Sequence, residues 1–325
     1  MSFSWPESAP TAEQRAAYAD AKPAPYWLDV LPPREPAPAL EGSSNADLCI
    51  VGGGFTGLWA ALHAKRRDRW RDVVLLEQDT IGSGASGRNG GFIVSSLTHG
   101  ISNGMARFAD EMPALEKLAQ ANFEGLKQDL ETHHIDCDLE ETGELLVILE
   151  PYQDAWINEE AELLRRFGHE VTTFDSAEEM QAEVNSPLYR GGVWDRTGAG
   201  VLDPAKLADG LRRAVLEQGV RIYEHSRVTR LSDEGQTVQM LAGRGRVNAR
   251  RVLLATSAYP APLRRIKRYI APVYDYALMT EPLTAAQQRE IGWNNRQGIG
   301  DGANQFHYYR LTKDNRILFG GYDAV

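Results

Sequence analysis

Residues 47–62 read DLCIVGGGFTGLWAAL, and this stretch decides the fold. The apolar run Leu48-Cys49-Ile50-Val51 has the length and composition of a buried strand, expected over 47–51. Gly52 to Gly54 form a tight turn, and 57–67 read as a helix carrying Leu58, Ala61 and Leu62. Gly52, Gly54 and Gly57 thus make a G-x-G-x-x-G pattern between a strand and a helix. The first two permit a compressed turn with close backbone approach, and the third leaves room for helix against strand. Together they let helix amides meet a pyrophosphate. A purely structural glycine turn is the plainer reading, but the flanking elements favour a dinucleotide site.

Working outward, 73–76 supplies the next strand and ends in Glu77, so strand, helix and strand make one parallel crossover unit. A carboxylate at this strand end can accept hydrogen bonds from a ribose diol and would repel a ribose phosphate. A solvent-facing glutamate is the alternative. Phe55 and Thr56 in the turn and Gln78 beside Glu77 join the candidate set. A second glycine-rich segment, GSGASGRNGGF, follows at 82–92. Ser83, Gly84, Ala85, Ser86 and Gly87 form a small-residue run, Arg88 can neutralise phosphate charge, and Asn89 can exchange hydrogen bonds with a polar ring. Gly90 and Gly91 complete this second candidate group, in which main-chain amides are expected to matter as much as Arg88. The alternative is a solvent loop with an ordinary arginine.

Further along, helices are expected at 112–130 and 161–167, strands at 145–149 and 170–174, and strand or turn at 188–195. Leu202-Asp203-Pro204 opens a helix running toward Gln218, and strands resume at 221–223 and 250–255. Short apolar segments at 274–279, 306–310 and 317–319, separated by polar turns, read as part of an antiparallel sheet. The fold class is α/β: a Rossmann-like nucleotide-binding domain interleaved with an α+β substrate domain containing a mostly antiparallel sheet. The boundaries are 1–45 for an N-terminal arm, 46–110 and 200–262 for the first domain, and 111–199 and 263–325 for the second. Six prolines between Pro23 and Pro38 exclude a long helix from the arm. Tyr26, Trp27 and Leu28 are its candidates for packing on the globular body, with no functional role assigned. Trp59 reads as helix packing.

At 325 residues with 42% hydrophobic and 25% charged, the chain can bury the cores of two domains. Its formal charge of -10 repels phosphate backbones on average. The basic cluster Arg264, Arg265, Lys267 and Arg268 occurs once, without interleaved aromatics, so no nucleic-acid partner is expected. Cys49 and Cys137 lie far apart and read as buried thiols, which suits a reducing compartment, and the cytoplasm is the expected location. No apolar stretch approaches the roughly 20 residues of a transmembrane anchor. Seven histidines form no recognisable metal cluster, and the adjacent pair His133-His134 is expected at the surface. No catalytic triad is visible, so the catalytic residues stay unassigned, and nothing fixes an oligomeric state.

Several ordered motifs, GGGFTGLWAAL, LLE, GSGASGRNGG, LDPAKLADGLRRAVLEQGVRI and ATSAY, cover nearly all of the chain after the arm. In these it resembles the FAD-dependent oxidoreductase family that includes D-amino-acid, glycine, sarcosine and γ-glutamylputrescine oxidases. The RNGG form looks like the branch of amine-oxidising flavoproteins. The resemblance implies noncovalent FAD in the first domain, with Ser86, Arg88, Asn89 and Gly90 beside the flavin and its phosphate-linked chain. It also implies Val228 near adenine, unless Val228 merely fills the sheet core, and Thr256 and Ser257 facing the cofactor or capping a turn. It places Tyr308, Tyr309 and Arg310 on a substrate-domain strand, as pocket wall and carboxylate anchor, with a surface salt bridge or snorkelling as the alternative for Arg310. In a regular strand Tyr309 cannot share a face with both neighbours. The activity implied is oxidation of a primary or secondary amine, including a γ-glutamylated polyamine or an amino acid, by hydride transfer to flavin N5. Oxygen is the expected acceptor, a dehydrogenase using another carrier being the alternative. Relatives continue into a further glycine-rich segment after their substrate sheet, whereas this sequence ends at FGGYDAV. The expectation is a C-terminally incomplete substrate domain with impaired flavin retention or turnover, and an inactive flavoprotein is its limiting case.

Overall fold

Ile50 and Cys49 point to opposite faces of their strand, and both are fully buried, so the sheet that contains them must be covered on two sides. The computed structural model describes residues 11–321 apart from 18, 260–262, 264, 266–267 and 304. The strand is β1, Glu41–Val51, longer than the expected 47–51. It runs parallel to β2, Val73–Leu76, on one side and to β11, Arg244–Leu254, on the other, pairing from Glu41↔Arg244 to Val51↔Leu254. The apolar signal marked only its buried end. The added residues are polar and are held by partners such as Arg221, which donates to the Asn45 carbonyl at 2.6 Å.

This six-stranded sheet has the order β8-β2-β1-β11-β10-β9, with β8 at Arg221–Tyr223, β9 at Val228–Asp233 and β10 at Val238–Ala242. β8 continues the parallel half, whereas β9 and β10 add an antiparallel edge that the sequence reading did not anticipate. One face packs Ile50, Val73 and Leu75 against the helices Phe55–Arg67 and Pro204–Glu217 through Leu58, Leu62, Leu207 and Leu211. The other packs Cys49, Val74 and Leu76 against Met240, Val247 and Ala249. Asp203 caps the second helix as its sequence suggested, its Oδ1 accepting from the amides of Ala205 and Lys206 at 2.9 and 3.0 Å, with Pro204 in the first turn.

A seven-stranded sheet has the order β12-β15-β14-β13-β4-β6-β5. Its strands are β4 (Glu144–Ile148), β5 (Val171–Phe174), β6 (Gly191–Asp195), β12 (Tyr276–Met279), β13 (Gly298–Asp301), β14 (His307–Leu311) and β15 (Ile317–Gly321). All its pairings are antiparallel except β13 with β4. The helices Met112–Thr132 and Trp156–Arg166 pack on it through Met112, Ile157, Ala161 and Leu164. A short ribbon of β3 (Phe92–Val94) and β7 (Ala199–Val201) lies after the second glycine-rich turn. Arg264 and Lys267 of the basic cluster and residues 322–325 lie outside the described residues. No described helix is long and apolar enough to cross a membrane.

Candidate dinucleotide site and adjoining cavity

The turn after β1 is packed against backbone at its first and last glycines. Gly52 has φ +114°, and a Cβ there would lie 2.3 Å from the Ala255 carbonyl oxygen at the end of β11. Gly57 sits equally close, its missing Cβ 2.0 Å from the Gly52 carbonyl oxygen, which is what lets the helix start against the strand. Gly54 is the N-cap of the helix Phe55–Arg67 and offers no side chain to the first-turn amides. Of these, Phe55 N–H donates to Ser86 Oγ at 3.0 Å, which ties the first glycine turn to the second. The helix thus begins at the carboxyl ends of β1 and β2 in a glycine cradle, where a Cβ at Gly52 or Gly57 would strike backbone and one at Gly54 would strike Ser86 Oγ. This form of turn lets helix amides meet an anion.

Glu77 ends β2, only 9% exposed. Its Oε2 accepts from Gly53 N–H at 2.7 Å and its Oε1 from Asp79 N–H at 2.9 Å. An ionised carboxylate has about four acceptor positions, so each oxygen keeps capacity for a ribose hydroxyl. Gln78 next to it is exposed. The Glu77 carbonyl accepts from Ser226 N–H at 2.7 Å, which brings the start of β9 and Val228 alongside the same strand end. Val228 itself is partly buried against the core of that face.

Ser83 to Gly91 form the second turn, with one 3-10 turn at Ala85–Gly87. Arg88 is exposed and its Nε donates to the Ser83 carbonyl at 2.6 Å. The Asn89 side chain serves the loop itself: Nδ2 donates to the carbonyls of Ser86 (2.9 Å) and Ala85 (3.1 Å), and Oδ1 accepts from Gly91 N–H at 2.8 Å. Gly90 and Gly91 are buried, and a Cβ on Gly90 would meet the Tyr308 ring at 2.6 Å.

On β14 the alternation separates the three substrate-wall candidates. Tyr308 and Arg310 face the second glycine turn, whereas Tyr309 turns to the core of the seven-stranded sheet and donates to Asp301 Oδ2 at 3.0 Å. Tyr308 packs edge-on against Phe92 and donates to Asp275 at 2.7 Å. Arg310 is only 2% exposed, and among the described residues it forms no ion pair with a carboxylate. Its Nη1 donates to the carbonyls of Leu202 (2.5 Å) and Gly91 (3.2 Å), and its Nε to Leu311 at 3.3 Å. Burial pulls its pKa down to about 10, so it remains a cation at neutral pH, held by carbonyl dipoles.

A cavity of about 1430 Å³ adjoins this turn, lined by Ala85, Arg88 and Asn89, by Ser257 and Tyr259, and by Tyr308. Its other walls are β12 and the arm. Thr256 accepts a turn bond from Tyr259 N–H at 3.0 Å, and Ser257 adopts φ +50°. The sequence reading gave Trp27 a packing role only and did not single out Glu224. Trp27 of the arm is 5% exposed, and its Nε1 donates to the Asn89 carbonyl at 3.0 Å. Glu224 is fully buried: its Oε1 accepts from Arg34 at 2.6 Å and from Ile81 N–H at 2.6 Å, and its Oε2 from Arg34 at 2.9 Å and Ala37 N–H at 2.5 Å. Glu224 follows β8, but its partners Arg34, Ala37 and Ile81 lie 143 to 190 residues away in the sequence, and the indole partner of Asn89 lies 62 residues from it. Among the described residues no group of three His, Cys, Asp or Glu could hold a metal ion.

Residues 47–325 match the family described as FAD dependent oxidoreductase (DAO). The chain is 34% identical over 291 residues to gamma-glutamylputrescine oxidoreductase of Escherichia coli, covering 88% of this chain and 66% of that protein. It is 31% identical over 289 residues to the probable oxidoreductase OrdL of Haemophilus influenzae, covering 87% and 66% respectively. It therefore spans about two thirds of the length of the curated relatives it matches. Among solved structures, glycine oxidase from Geobacillus kaustophilus superposes with a TM-score of 0.64 at 20% identity, covering 86% of this chain and 71% of that one, a likeness of fold. With the glycine cradle, the strand-end carboxylate and the match over residues 47–325 in agreement, the chain belongs to the DAO family of FAD-dependent oxidoreductases.

Proposed function

We propose that the chain binds FAD noncovalently and serves in the oxidation of a primary or secondary amine, a γ-glutamylated polyamine or an amino acid, with oxygen as acceptor. The observation that carries the FAD reading is the glycine cradle of Gly52, Gly54 and Gly57, where a Cβ would meet backbone at Gly52 and Gly57 and the Ser86 side chain at Gly54. FAD bound there supplies a two-electron acceptor at N5 for the hydride of a substrate carbon next to nitrogen. The first-turn amides of the helix Phe55–Arg67 after Phe55 would hold the pyrophosphate, and Glu77 would take the ribose hydroxyls with its remaining lone pairs. Thr56, Ser83, Gly84 and Gly91 contribute backbone to the same two turns.

The cavity beside the second turn would receive the amine. Tyr259 and Tyr308 give it aromatic walls, and Arg88 and Ser257 polar ones. Its work is to orient the neutral amine and keep bulk water away. The amine class is supported by the 34% identity to gamma-glutamylputrescine oxidoreductase. In this reading the nucleotide-binding unit is 46–110 with 200–262, and the substrate unit is the rest after the arm. The buried free thiols Cys49 and Cys137, both pushed up to about 12 by burial, suit the reducing cytoplasm.

The test is purification with added FAD, denaturation to release the flavin, and anaerobic mixing with a panel of polyamines, γ-glutamyl amines and amino acids. Bleaching of the flavin band by one of these, followed by peroxide on admitting oxygen, is the expected outcome. Flavin that stays on the denatured chain refutes noncovalent binding. Bleaching by none of the amines, with the flavin still reducible by another substrate class, refutes the amine reading. Slow reoxidation by oxygen but fast reoxidation by a dye refutes oxygen as acceptor.

A further inference from the structure

We infer that the N-terminal arm is part of the cofactor site, with Trp27 as a positioning residue that holds the turn 83–91 against the flavin. Trp27 lies on the short helix Tyr26–Val30, wedged between Ala205 of the nucleotide unit and Leu318 of β15. Its indole N–H reaches the Asn89 carbonyl, and the Arg310 guanidinium lies 5.2 Å over its ring. Arg310 in turn holds the Gly91 carbonyl, so the two ends of the Asn89–Gly91 segment are gripped by one stacked pair. The next arm residue, Leu28, sits directly over Gly87: a Cβ at Gly87 would meet Leu28 Cδ2 at 2.9 Å.

The arm is itself fixed. Arg34 and the Ala37 amide close on the buried Glu224, whose Oε1 also takes the Ile81 amide just before the turn begins. Leu40 N–H reaches Ser226 Oγ at 2.8 Å. Few of the bonds within the turn are regular backbone ladder bonds, and its own glycines favour many conformations. Arg88 and Asn89 bond the turn to itself, and the arm adds a grip from outside at the Asn89 carbonyl and over Gly87.

This inference rests on the proposed FAD site, and the test separates the two. Trp27→Phe keeps a ring and removes the N–H, leaving the Asn89 carbonyl without its donor. Trp70→Phe, at a tryptophan 81% exposed, is the control. Amide hydrogen exchange of 83–91 is read first without FAD: W27F should speed it about tenfold, and W70F should leave it as it is. With FAD, W27F should raise the dissociation constant about tenfold and alter the visible circular dichroism of the flavin. Unchanged exchange in W27F overturns the inference, even where the unaltered chain binds FAD well. Failure of the unaltered chain to bind FAD strikes the proposed function, while faster exchange in W27F still upholds the grip on the turn. Should W27F not fold, exchange in the unaltered protein decides: added FAD must protect 24–31 together with 83–91, because coupling between the two is reciprocal, and protection of 83–91 alone overturns the inference.

Discussion

The two glycine-rich turns of the site are built on opposite principles. The turn at Gly52–Gly57 is closed by its own strand and helix, with Gly57 against the Gly52 carbonyl and Glu77 reaching back to Gly53 from the next strand. The turn at 83–91 has one 3-10 turn and the bonds of Arg88 and Asn89 of its own, and it depends besides on remote partners: Trp27, Arg310 and, through Ile81, Glu224. One is a local motif and the other is a product of tertiary structure. A local motif fails when its backbone is obstructed, whereas a tertiary one fails when a distant partner is removed.

The largest effect is expected at Gly52. Alanine there combines a positive φ with a Cβ 2.3 Å from the Ala255 carbonyl oxygen, and strain plus overpacking should cost roughly 3 kcal/mol or more. Urea unfolding measures it, and a loss below about 1 kcal/mol would show that the first turn relaxes as freely as the second.

Next comes the distant anchor. Glu224→Gln breaks a buried ion pair and weakens two amide contacts, for about 2–3 kcal/mol. Burial raises the Glu224 carboxyl, but the hydrogen bonds from Arg34 and then from the Ile81 and Ala37 amides outweigh it and hold it below its usual value. A depressed folded pKa contributes stability that is present above about 4.3 and lost as pH falls through the folded value. The wild type should therefore weaken in acid more steeply than E224Q, and parallel acid limbs would remove Glu224 from the account.

Gly54→Val sharpens the contrast from the ligand's side. Its Cβ would meet Ser86 Oγ at 2.7 Å, the end of a side chain that can rotate away, so the fold should survive. The branched side chain would still narrow the cradle, and FAD affinity should fall by at least about tenfold, or roughly 1.4 kcal/mol. Fluorescence titration reads this directly, and unchanged affinity in the folded variant would reject the cradle geometry.

The smallest effect belongs to the seven-stranded sheet. His169, 5% exposed at its side chain, lies 2.7 Å from Asp195 and 3.1 Å from Glu116. Burial lowers its pKa, but Asp195 and then Glu116 outweigh this and raise it. Glu144, across the strand pair from Asp195, is pushed up to about 7 by burial and then by that charge. Both shifts are upward, so the contribution is complete below the unfolded values and is lost as pH rises through the folded ones. His169→Gln should cost about 1 kcal/mol near pH 6 and less near pH 9, by urea unfolding at the two pH values. An equal cost at both would deny the ring its charge.

The same contrast explains what the sequence disclosed. The G-x-G-x-x-G turn, the helix after it, Glu77 and the Asp203-Pro204 helix start were legible because each rests on neighbours a few residues away. The β9–β10 hairpin was passed over although Val228–Asp233 and Val238–Ala242 flank a glycine, Gly235, at φ +81°. Its residues are mostly polar or half-buried, so the apolar pattern was faint. β13, reading GIGD, has almost no side chains from which a strand could be inferred. For Arg310, residue type allowed a carboxylate anchor, a surface ion pair or a snorkelling cation. Its burial against three carbonyls depends on β7 and the glycine turn meeting β14, which no local pattern encodes. Trp27 was noticed as a packing residue, and its indole partner is settled only once the arm lies across the turn.

The register of β1 against β11 also bears on how the protein is made. The two strands pair from Glu41↔Arg244 to Val51↔Leu254, so roughly 200 residues separate the partners. At about 5–20 residues per second a ribosome delivers β11 some 10–40 s after β1. During that interval β1 can join β2, but its other edge displays a row of unpaired amides and carbonyls beside Ile50 and Val51. Among the described strand pairings this wait is the longest, so the strand that carries the cofactor turn keeps an open edge until β11 emerges.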